Sequence, residues 1–403
     1  MDDFGRFIKW MATALVAGIV LVCGFVTVVD PYRLHRLVER DGFNAIKPRP
    51  TRYLSEIKMA GARATQPKLF LMGNSRIDVG IDPDARPLAG PTYNLALPGT
   101  GVAASRQQWM MLTTDGVRPV TLLLGVEFFD FLADPVAADV PDQILPGGLA
   151  RLRWKIDTVF SLDALLDAAR TLLIQRDPYA ATMSARGFNP LGDYLRAARD
   201  DGYHGFFQQR AMENARRFAT APRGIVLAGS DTSSDWRELG RLLDAAAGQG
   251  TAVELVIYPY HAQLMAMLEQ TGLWPVFEEW KLRLLREVAR VHQTHAQARI
   301  TLWDFSGYGS LQCEHIPARG DLTATTWYWE SGHFKASLGD VMLTRIFGGA
   351  APAPPGFGVR LDDAGWQANR ERIARERRAC VASEPAMFRD AAAMVAEFRA
   401  RRR

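Results

Sequence analysis

Ser75, Glu330 and His333 carry the side chains that covalent acyl transfer needs. A serine hydroxyl is too weakly acidic to attack an ester unaided, so it needs a base within hydrogen-bond reach. A histidine serves, and a carboxylate on its other ring nitrogen orients the ring and stabilises its charged form. Glu330 stands three residues before His333 in Tyr328-Trp-Glu-Ser-Gly-His333-Phe, a spacing at which it can do this. Ser75 follows Lys68-Leu-Phe-Leu-Met72, an apolar run ended by Gly73. A run of that length reads as a buried strand. A serine at the following strand-to-helix turn sits among backbone N–H groups free to bind an oxyanion. Taken alone it is more often a helix cap than a nucleophile; His333 shifts the balance.

Further apolar runs supply the elements that must hold these residues. They are Tyr93–Leu97, Val120–Val126, Ala252–Tyr258 and Arg299–Trp303. Helical patterns cover 103–112, 236–247, 274–297 and 338–347. Near-continuous apolar strands alternating with helices predict an α/β fold whose parallel sheet, of about five strands, is covered on both faces. Active residues of such sheets gather at the carboxyl ends of the strands. That points to Gly73–Arg76, Pro98-Gly99, Glu127–Asp130, Pro259-Tyr-His261 and the chain from Asp304 onward. Residues 131–235 interrupt the alternation with helical pieces at 161–175 and 211–218, and are expected to cap that edge. After the proline-rich 351–355, two helices at about 361–379 and 384–402 look peripheral.

Gly73-Asn-Ser75, Asn94-Leu-Ala-Leu-Pro-Gly99 and Glu330-x-x-His333, in that order, resemble three sequence blocks of the SGNH (GDSL-like) hydrolase and acyltransferase superfamily. Asp304–Tyr308 and the Trp329-Glu330-x-x-His333 segment resemble its membrane-anchored bacterial members. The resemblance spans roughly 68–347. It implies a flavodoxin-like three-layer fold and a serine esterase or O-acyltransferase with no cofactor and no metal. It also implies small acyl esters as substrates, carried on a cell-envelope or exported polysaccharide, and envelope assembly partners. Carried over by position, Ser75 is the nucleophile, His333 the base and Glu330 its acid. The N–H groups of Ser75 and Gly99 form the oxyanion hole.

One block departs from the pattern. Gly125-Val-Glu127 stands where the family has glycine-x-asparagine. An ionised Glu127 only accepts hydrogen bonds, so an oxyanion donor is lost unless Asn74 or Arg76 replaces it. That supports a rival expectation: a catalytically weak member that binds glycan or scaffolds an envelope complex. Asn74, Arg76, Asn94, Glu127 and His261 are the further pocket candidates. Arg76 either holds an anionic group or pairs with Glu127. Glu314 and His315 are placed to shape the pocket. His292 and His295, three apart on a helix, lack a third metal ligand.

The 403 residues carry a net charge of +4 and show no basic stripe with interleaved aromatics, which argues against nucleic-acid binding. From Trp10 to Val29 no residue is charged. Some 20 apolar residues match the bilayer core, and Val28-Val-Asp-Pro is a poor cleavage site, so an uncleaved anchor is favoured over a signal peptide. Basic residues flank both ends, so charge does not set the orientation; the resemblance places the bulk outside the cytoplasm. The expected organisation is anchor 1–30, polar linker 31–66, catalytic domain 67–350 and helical extension 351–403. Cys313 and Cys380 pair if the domain is outside the cytoplasm, and are equally consistent with two unrelated thiols.

Overall fold

The apolar runs assemble into one sheet in the computed structural model, which describes residues 3–88, 90–133, 149–227, 229–349 and 353–400. Residues 134–148 of the expected insertion and Arg401–Arg403 lie outside the described residues. The sheet strands are β1 (Leu69–Met72), β2 (Thr92–Asn94), β3 (Thr121–Val126), β4 (Ala252–Ile257), β5 (Ile300–Asp304) and β6 (Val359–Arg360). Their spatial order is β2-β1-β3-β4-β5-β6. The first five are parallel, in the flavodoxin-like 2-1-3-4-5 order. Every residue of β1 and Leu122–Val126 of β3 are buried, as a sheet covered on both sides requires.

The sixth strand was not expected. Val359 and Arg360 pair antiparallel with Asp304 and Trp303, so the C-terminal segment closes the sheet's edge.

The helices are α1 (Asp3–Val29), α2 (Leu54–Thr65), α3 (Ser75–Gly80), α4 (Val102–Thr114), α5 (Leu149–Asp157), α6 (Leu162–Leu173), α7 (Gly192–Asp201), α8 (His204–Thr220), α9 (Ser234–Gly248), α10 (Ala262–Thr271), α11 (Trp274–Thr294), α12 (Ala336–Phe347), α13 (Trp366–Ser383) and α14 (Pro385–Ala400). α2, α4, α9 and α11 form a chain of neighbours, and α8, α10 and α14 form another. The last two helices are not peripheral. Ile373, Cys380, Met387, Ala391 and Val395 are buried in the main core. The Asn369 amide donates to buried Asp304 at 2.8 Å. A Cys313–Cys380 disulfide, with Cα atoms 5.9 Å apart, ties α13 to the loop after β5.

The segment 31–66 is likewise part of the body. α2 buries Ile57, Met59 and Ala62. Its Lys58 is fully buried, with Nζ 2.6 Å from Asp78 and 2.7 Å from the Ala96 carbonyl. The last turns of α1 enter a second, smaller core: Val26 and Val29 pack with Tyr32, Ile57, Ala164, Ala168 and Met183. A helix end leaves carbonyls without partners. Here the Val29 carbonyl accepts from the Asn44 amide at 3.0 Å and the Lys47 ammonium at 2.9 Å.

Candidate active site

The backbone after β1 makes the first half of the site. Gly73 has φ +144°, and a Cβ there would meet the Tyr258 hydroxyl at 2.7 Å, so only glycine fits before Asn74. The Asn74 side chain accepts from the Arg76 N–H at 3.1 Å and caps α3. Ser75 is therefore the first residue of that helix rather than its cap.

A two-stranded ribbon makes the other half. Tyr328–Glu330 pairs antiparallel with His333-Phe334, and Glu330 stands opposite His333. This is why the three-residue spacing joins them: a two-residue turn folds one back on the other. The Glu330 carboxylate accepts from the Gly332 N–H at 2.6 Å and bonds to Nδ1 of His333. Nε2 of His333 lies 2.7 Å from the Ser75 hydroxyl. Burial pushes the Glu330 carboxyl up, but His333, Arg210 and the Gly332 N–H outweigh it, so its pKa lies below the usual glutamate value. Arg210 of α8 stands 3.3 Å from Glu330. The insertion thus supplies a cation to the site, which no local pattern around Arg210 signals.

Behind Ser75 lies a second ionic group. Arg76 forms a salt bridge with Glu127. The other Glu127 oxygen accepts from the Tyr260 hydroxyl at 2.9 Å, and the Asn74 amide points at Glu127 from 3.4 Å. The Arg76 guanidinium also lies over the rings of Tyr258 and Tyr260. The charge of Glu127 is therefore compensated where it sits. The same contacts occupy Arg76 and Asn74, the two side chains that stood in for the missing asparagine donor.

His261 and Asn94 do not line the cleft. His261 is fully buried, with Nε2 2.9 Å from the Glu314 carbonyl and Nδ1 accepting from the Gln263 N–H. Burial holds its pKa down at about 4, so the ring is neutral. The Glu314 carboxylate accepts the N–H groups of Trp327 and Tyr328, both at 3.0 Å, and clamps the start of the ribbon. His261 and Glu314 thus position the ribbon from behind. The Asn94 amide donates to the carbonyls of Ile77 and Ile81 at 2.8 and 2.9 Å, closing α3. Gly99 is exposed in a left-handed turn, φ +72°, one residue past the cleft wall at Pro98. His315 is exposed and pairs with Glu384. His295 pairs with Asp244. Among the described residues no cluster of three or more His, Cys, Asp or Glu is arranged to hold a metal.

Ser75 and His333 open into a cleft of about 140 Å³. Its walls include Arg49, Asn189, Leu191, Tyr194 and Trp329, of which only Trp329 stood in a motif read from the sequence. Four of the five come from the insertion or the segment before α2, and tertiary packing alone brings them here. A hydroxyl, an imidazole and a carboxylate in series at the mouth of a small cleft can generate an alkoxide-like nucleophile. The chain matches no family model, no curated protein and no solved structure.

Proposed function

We propose that the protein is an SGNH-type serine esterase or O-acyltransferase, held to the membrane by α1 with its catalytic domain outside the cytoplasm. The carrying observation is the 2.7 Å approach of Ser75 to His333, whose other nitrogen is held by Glu330. Ser75 Oγ attacks the acyl carbonyl carbon as its proton passes to His333 Nε2. The tetrahedral oxyanion takes backbone N–H donors at Ser75 and Gly99. Collapse expels the alcohol, which leaves with the proton from His333. Water or a carbohydrate hydroxyl then repeats the attack on the acyl-serine. A cleft of about 140 Å³ suits a small acyl group such as acetyl. The apolar helix and the Cys313–Cys380 disulfide suggest an extracytoplasmic domain.

The test uses the full chain in detergent or nanodiscs. A fluorophosphonate probe labels the wild type and not Ser75→Ala, and p-nitrophenyl acetate is turned over only by the wild type. Equal labelling of both proteins sinks the reading. One observation favours a second reading, a weakly catalytic glycan-binding or scaffolding protein: Glu127 ties up Asn74 and Arg76. A missing oxyanion donor costs on the order of 100-fold in turnover. Ser75-dependent labelling without measurable ester turnover selects that reading.

A further inference from the structure

Apolar surface in this chain is not scattered. Of the 26 large apolar side chains left exposed among the described residues, 12 lie on α1, as a membrane span requires. Eight of the remainder lie in two short stretches beside the base of α1, residues 37–46 and 156–173. α6 carries the centre of this patch. Its inner face, Ala164, Ala168 and Thr171, is fully buried, and the two alanines pack on Val26 and Val29 of α1. Its outer face presents Leu162, Leu166 and Leu173, exposed by 71%, 57% and 83%. At 100° per residue these three fall within about 40° of one another. Phe160, and Leu37 and Val38 of the neighbouring loop, extend the patch. Exposed charges of both signs border it: Arg36, Arg40, Arg153, Lys155 and Arg170, with Glu39, Asp41 and Asp163. A monomeric soluble surface rarely concentrates apolar side chains in this way.

We infer that α6 and the 37–46 loop form a second membrane contact that seats the domain on the bilayer crossed by α1. α6 packs directly on the last turns of α1, so a bilayer crossed by α1 lies beside it. A helix with a leucine stripe and a charged border lies in the headgroup region, its apolar face some 5–10 Å deep. The cleft follows. Lys47 binds the last carbonyl of α1, and Arg49, two residues on, lines the cleft. Two residues of extended chain span at most about 7 Å, to which the Lys47 and Arg49 side chains add their own lengths. The site is therefore held on the α1 side of the domain, facing esters or acceptors displayed at the membrane rather than ones free in bulk solution. The docking rests on α1 being retained, as proposed above, and on nothing in the chemistry of the cleft.

The experiment is depth-resolved quenching of the full chain in nanodiscs of phosphatidylethanolamine and phosphatidylglycerol. An environment-sensitive fluorophore is placed at Leu166→Cys, in a Cys23→Ser background. A second protein carries it at Leu322→Cys, an exposed apolar site with 58% exposure outside the patch. Doxyl groups on the acyl chains are expected to quench the label at 166 several-fold more strongly than at 322. The difference should fall when Leu162→Glu and Leu173→Glu are added. Far-UV circular dichroism checks that these outward-facing changes leave the fold intact. Equal quenching at both sites overturns the inference. So does a protected label at 166 that lipid does not quench, which would mean that protein covers the face. Intact mass of the membrane-extracted chain reads retention of α1 separately, and fluorophosphonate labelling of the same samples reads the serine chemistry.

Discussion

Glu330 has three partners: His333, the Gly332 N–H and Arg210. Its charge matters most when the imidazole becomes positive. Glu330→Gln is therefore expected to lower kcat for acetate esters on the order of 1,000-fold, with KM little changed, as steady-state kinetics will read. His261 gives a different signature. Its pKa drops from 6.5 to about 4 because it is buried, so protons bind the unfolded chain first as pH falls. The stability it lends is complete above pH 6.5 and is lost as pH falls toward 4. Asp130 has the opposite slope, since burial and then Asp235 raise its pKa to about 7. The readout is thus the difference between wild type and His261→Gln. Urea melts at pH 6.5 and 5 should show the wild type losing on the order of 2 kcal/mol more than the variant. Ser75, Glu330 and His333 were legible because a strand end and a tight turn are local features. The role of His261 was not: its partners lie some fifty residues downstream in the chain, and nothing near Pro259 distinguishes a cleft histidine from a buried one.

The elements were legible where their pattern had one period. β1, β3, β4 and β5 read as apolar runs, and α4, α9 and α11 as amphipathic stripes. α10 did not, because Ala262–Leu268 is buried on every side and shows no polar face to set a period. β6 is two residues long, too short to carry alternation. α13 and α14 look solvated from their charges, yet those charges are spent on pairs such as Arg377 with Glu269 and Arg370 with Glu278. Two substitutions probe how the elements are joined. Lys58→Met leaves Asp78 buried and deprived of its ammonium, while Asn189 still donates to it from 3.3 Å. Breaking a buried pair this way costs about 3–5 kcal/mol, to be read as a lower urea midpoint. Cys380→Ala opens a disulfide that spans 67 residues. Loop entropy alone predicts a loss of about 4 kcal/mol, and the same loss should appear when the wild type is reduced.

At the scale of the molecule, the apolar helix α1 is built into the domain. Its final turns share a core with α2 and α6, and side chains of the next segment hold its last carbonyl. Val26→Asp places an unpaired carboxylate among Ile57, Ala164 and Ala168. It is expected to lower the melting temperature of the domain while Val16→Asn, on the exposed part of the helix, leaves it unchanged; differential scanning calorimetry in nanodiscs separates them. The α/β architecture followed from the order of strands and helices. The joining of the apolar helix to the domain did not, because it depends on four separate segments meeting at one helix end.

The Cys313–Cys380 bridge encloses the whole Glu330–His333 ribbon, whereas Ser75 lies far outside the closed loop. The hydroxyl and its base stand 258 residues apart. During biosynthesis the serine emerges early as an inert alcohol, and its partner arrives only with the last quarter of the polypeptide. Once oxidised, the bridge ties α13 to the loop after β5, and the ribbon lies inside the covalent loop it closes. On the proposed function, the site is complete only after the ribbon has been made, long after the serine itself.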